Sequence, residues 1–98
     1  MADWKKEISE SFAAIDSRRV EIHKPLYTLL EELERESSIR EASFELISEH
    51  PLVWNVLING KSARIEEAEV AVYQEPLQEE PSKDVAEALK ELLVKKFT

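Results

Sequence analysis

The stretch LVWNVLINGKSARIEEAEVAVY, residues 52–73, is the one place in the chain where alternating apolar side chains coincide with a strong turn signal. A type I′ turn needs positive φ at both central residues, and the pair Asn59-Gly60 adopts it at least cost. Gly60 is the only glycine in the sequence. A two-residue turn there sets Ile58 opposite Lys61, Val56 opposite Ala63 and Trp54 opposite Ile65, with Leu57, Asn55 and Val53 opposite Ser62, Arg64 and Glu66. Trp54, Val56, Ala63 and Ile65 then share an apolar face and Asn55, Ser62, Arg64 and Glu66 a wetter one, as a half-buried antiparallel pair requires.

Past Ile65 the alternation changes parity, because Ala68, Val70 and Val72 become the apolar set. A bulge or break near Glu66-Glu67 accommodates the change. In this register the second strand also outruns the first, so residues 68–73 need a further partner strand or form an exposed edge. The same strand from a second copy would supply one, which predicts a homodimer through a strand edge or the second sheet face. The candidate interface residues are Val53, Leu57, Val70, Val72 and Tyr73.

Working outward, residues 38–50 admit two readings. As a helix, Ser38-Ile39-Arg40-Glu41 is a capping box and Ile39, Ala42, Ser43, Leu46 and Ile47 share a face, which leaves Phe44 pointing outward. As a strand, Phe44 and Leu46 alternate with Glu45, and His50-Pro51 turns the chain into Leu52. The strand is preferred, since a meander would give residues 68–73 a neighbour.

Toward the N-terminus, Trp4, Ile8, Ser11, Phe12 and Ile15 have the spacing of one helical face, with Asp3 as a candidate cap. Asp16-Ser17-Arg18-Arg19 reads as a connection, although nothing there stops a helix. Pro25 suits the first turn of a second helix, whose stripe is Leu26, Leu29, Leu30 and Leu33. Toward the C-terminus, residues 74–81 contain two of the four prolines and read as a surface linker. Ser82 is the expected N-cap of a last helix with Asp84 in its first turn and a buried stripe of Val85, Ala88, Leu89, Leu92 and Leu93. The expected class is α+β: one domain over residues 1–98, with an antiparallel sheet of two or three strands against two N-terminal helices and one C-terminal helix.

Composition narrows the function. With 43% hydrophobic residues the chain can build a core, and it has no apolar run long enough to span a membrane and no signal-peptide core, so a cytoplasmic location is expected. Absence of cysteine removes disulfides, thiolate metal sites and thiol nucleophiles. Phosphate-binding loops, dinucleotide fingerprints and nucleophile elbows need glycines that the chain lacks. His23 and His50 stand 27 residues apart without metal-ligand spacing, so no metal and no cofactor is expected. The net charge of −8 opposes phosphate binding.

The reading that remains is a small acidic, non-enzymatic interaction or regulatory protein, expected to be homodimeric. Two alternatives stand beside it. The carboxylate runs Glu31, Glu32, Glu34, Glu36 and Glu66, Glu67, Glu69, Glu79, Glu80 would suit an acidic inhibitor that imitates nucleic acid toward a basic site. A helical 38–50 would instead give the element order of a winged-helix DNA-binding protein with Lys61 on the wing, although its recognition helix would carry three glutamates and one arginine.

Overall fold

The hairpin forms as its residues demand. In the computed structural model, which describes residues 4–75 and 83–98, Asn59 and Gly60 have φ of +48° and +83°. A Cβ at Gly60 would meet nothing, so the backbone conformation and not crowding calls for glycine. Strands β2 (Leu52–Ile58) and β3 (Lys61–Glu66) pair in the register read from the sequence, Trp54 opposite Ile65 included. Residues 38–50 resolve to the strand reading: β1 (Ala42–Glu49) pairs antiparallel with β2, giving the sheet order β1-β2-β3. A bulge between Leu46 and Ser48 carries Ile47 out of register. The connection to β2 is His50-Pro51, whose peptide bond is cis.

Of the bulge or break expected at Glu66-Glu67, the structure has the break, and it is a change of element. The strand ends and a helix begins: α2 spans Glu67–Gln74, so the strand overhang at residues 68–73 does not exist. Glu66 closes β3 and caps α2, its backbone N–H donating to the Glu69 side chain at 3.1 Å in a reciprocal capping box. Glu67 and Glu69 add negative charge to the first turn, where the helix dipole favours it. Val70 is buried on the inner side of α2 and Val72 is exposed on the other, a helical and not an alternating distribution.

The two expected N-terminal helices are one. Helix α1 runs from Trp4–Glu34, 31 residues, through both the proposed connection at 16–19 and Pro25. Ion pairs three residues apart, Asp16 with Arg19 and Arg18 with Glu21, each at 2.6 Å, brace the segment that read as a connection. Pro25 removes the N–H that would bond the Glu21 carbonyl. Burial of Ile22, Leu26, Leu29 and Leu30 on either side of it holds the helix to the body across that gap.

Helix α3 (Val85–Phe97) buries the five residues of its expected stripe. Its N-cap is Asp84, which accepts from the Glu87 N–H at 2.8 Å, in place of Ser82; Ser82 and most of the 74–81 linker lie outside the described residues. Gln74 and Lys83 are joined by two hydrogen bonds at one end of the α2/α3 pair, and Lys96 pairs with Glu69 at 2.9 Å at the other, so the two helices run antiparallel. The core lies between the helices and one sheet face, where Trp54, Val56 and Ile65 meet Ile22, Leu26, Leu89 and Leu92. The other face carries the exposed Ser43, Glu45, Ser62, Arg64 and Glu66.

Candidate interaction surface

Helix α1 is longer than the body it packs on. At ~1.5 Å per residue it extends about 46 Å, and the molecule measures 60 × 34 × 17 Å. The Ala42 N–H bonds the Glu34 carboxylate at 3.3 Å, His23 packs edge-on to Phe44 at 4.9 Å and Phe12 edge-on to His50 at 5.1 Å. These three contacts place α1 antiparallel along β1, with Phe12 reaching the β1–β2 turn. Residues 4–11 therefore run past the end of the sheet. From Trp4 to Ala14 every residue is exposed.

The exposed part is not polar. With 3.6 residues per turn, Trp4, Ile8, Phe12 and Ile15 lie on the same face as Ile22, Leu26, Leu30 and Leu33 further along. One apolar stripe thus runs from the core out past the sheet. Along it Ile22 and Leu26 are fully buried, Ile15 is half-buried, and Phe12, Ile8 and Trp4 are 55%, 49% and 62% exposed. Residues 4–14, called the arm below, carry core-type side chains with no described core over them.

The base of the arm is fixed. Arg18 donates to Glu67 at 2.9 Å, to Glu21 at 2.6 Å and to the Gln74 side chain at 2.7 Å, which ties α1 to both ends of α2. Beside it an open groove of about 360 Å³ runs between Phe12, Ile15, Asp16 and Arg19 on the helix and His50 and Leu52 on the sheet. The Lys5 ammonium lies 5.8 Å from the centre of the Trp4 ring.

The residues singled out from sequence are not brought together. Val53 is buried and Leu57 half-buried on the open sheet face, Val70 is fully buried in the core, and Val72 and Tyr73 lie on α2. Tyr73 is packed against the core, with the Lys95 ammonium 5.7 Å from its ring. Val70 has no surface to offer a partner. The sequence does contain the arm stripe, in the spacing of Trp4, Ile8, Phe12 and Ile15, but spacing announces an apolar face without saying whether the fold covers it.

Among the described residues no group of three or more His, Asp or Glu side chains could hold a metal ion. The Tyr27 hydroxyl is raised from its ordinary 10.0 by its hydrogen bond to Glu31 and by that residue's charge. Burial works to raise the Glu69 carboxyl, but hydrogen bonds from Lys96 and the Glu66 backbone, with the charges of Lys96 and Lys95, outweigh it and hold it below 4.5. Both groups move away from neutrality. No described helix is long and apolar enough to cross a membrane. Comparison with known proteins finds no family model, no curated protein and no solved structure that matches the chain.

Proposed function

We propose that the protein is a non-enzymatic interaction module that engages another protein through the apolar face of the α1 arm. The observation that carries this reading is the exposure of Trp4, Ile8 and Phe12 on the face that the same helix buries further along. Contiguous apolar surface of this kind marks interaction sites, and its aromatic members are the residue types that dominate binding energy. The strand-edge surface expected from sequence has no part in it, because residues 68–73 are helical. The winged-helix alternative loses its recognition helix, since residues 42–49 are a strand. Within the acidic runs, Glu67 and Glu69 are paired with Arg18 and Lys96, which reduces the carboxylate surface available to imitate a phosphate backbone.

The test is affinity capture with the immobilised full chain and with a double variant, Ile8→Glu and Phe12→Glu. Specific capture by the wild type and its loss in the variant, at unchanged helical content, is the expected result. Equal capture by both would sink the arm as the docking face.

A further inference from the structure

We infer that the occupant of the arm face is a second copy of this chain, whose own arm lies antiparallel against it; this rests on the reading of the arm as a docking face. The first argument is charge. Residues 1–19 hold four acids and four bases, Asp3, Glu7, Glu10, Asp16 against Lys5, Lys6, Arg18, Arg19, so the whole net charge of −8 belongs to residues 20–98. Two such bodies repel one another, and the balanced arm lets two copies meet at a distance from their like charge.

The second argument is the arm's own complementarity. Trp4, Ile8, Phe12 and Ile15 repeat at intervals of four, four and three, the spacing of a seam between paired helices. Lys5 and Asp16 lie on one flank of this seam, eleven residues and so about three turns apart, at opposite ends. An antiparallel pair centred near residue 10 places Ile8 against the partner's Phe12 and Trp4 against the partner's Ile15. It also brings each Lys5 beside the partner's Asp16. In a parallel pair the two copies of this flank fall on opposite sides of the interface, so Lys5 and the partner's Asp16 would not meet.

The third argument is area, which fixes the strength. Trp4, Ile8 and Phe12, about half exposed, offer roughly 300 Å² per copy at ~150–250 Å² for a large side chain. Two arms then bury roughly 600 Å² between these residues, below the ~1,200 Å² of a stable specific interface. The dimer is therefore weak and reversible.

The experiment uses the full chain over a series from low micromolar to millimolar, with light scattering for mass and iodide quenching for the tryptophans. Trp54 is fully buried and Trp4 exposed, so the quenchable emission reports the arm. Mass should rise from 11.3 kDa toward twice that value while the quenchable fraction falls in step. Lys5→Asp should weaken association about 3- to 10-fold through two exposed ion pairs, and adding Asp16→Lys should restore it in part, since that change also removes the Asp16–Arg19 pair within the helix. A mass of 11.3 kDa throughout, or a dimer that leaves Trp4 quenchable, overturns the proposal. If mass stays constant while capture still depends on Ile8 and Phe12, the second copy is excluded and the docking face survives. If neither depends on the arm, both readings fall.

Discussion

Asn59 meets two demands at once. Its backbone takes the positive φ of the hairpin turn, while its side chain accepts from the Arg40 and Glu41 N–H groups at 2.7 and 3.2 Å and donates to the Ser38 carbonyl at 2.8 Å. The turn is thereby tied to the segment that leads into β1. The backbone demand was legible in the pair Asn59-Gly60; the side-chain demand was not, since its partners lie 18 to 21 residues away. Replacing Asn59 with Gly keeps the φ and removes the three bonds. We expect a loss of about 1–2 kcal/mol, from a typical net ~0.5–1.5 kcal/mol per bond discounted for exposure. Chemical denaturation of Asn59→Gly beside the wild type measures it, and an unchanged midpoint would show that the turn geometry alone matters.

At the scale of elements, the sequence resolved the pieces with unambiguous periodicity and stumbled where two periods fit. Residues 68–73 place Ala68, Val70 and Val72 at alternate positions, with two valines that favour strands, so a strand was the natural reading. The helix prevails because Glu66, Glu67 and Glu69 suit a helix start and because Val70 and Tyr73, three apart, both reach the core. Glu69 makes this testable. A carboxyl held below 4.5 in the folded state contributes stability that is present above 4.5 and is lost as pH falls through the lower folded value. Glu69→Gln, which retains an oxygen acceptor, should cost at most ~1 kcal/mol at pH 7 for so partly exposed a pair. Thermal unfolding of the two proteins should converge as pH is lowered through the acid range, and a gap independent of pH would remove the ion pair as its cause.

Helix α1 shows the converse error. Pro25 and the polar run at 16–19 read as a helix start and a connection, but local signals are weak beside the burial of Ile22, Leu26, Leu29 and Leu30. If the proline is tolerated and not required, Pro25→Ala should stabilise by about 1–3 kcal/mol by returning the N–H and an unstrained helical residue. Calorimetry decides, and a destabilised variant would mean that the proline itself shapes α1.

For the molecule as a whole, the radius of gyration of 15.7 Å exceeds the roughly 12.6 Å of a compact chain of this length, and the projecting arm shows why. An isolated helix of eleven residues is marginal in water; the arm extends from one already nucleated by packing. Its apolar face would gain by being covered, which is the physical basis of both functional proposals. The α+β class, the hairpin and its register and the α3 stripe followed from the sequence alone, because turn chemistry and side-chain period are local properties; the first strand was one of two readings that fit residues 38–50, and it was preferred for a neighbour that the helical residues 68–73 do not need. Tertiary structure alone decided that 67–74 is a helix, that α1 is continuous and that its first turns reach past the sheet. Whether an apolar face is core or surface depends on what the rest of the chain places opposite it, and no local pattern encodes that.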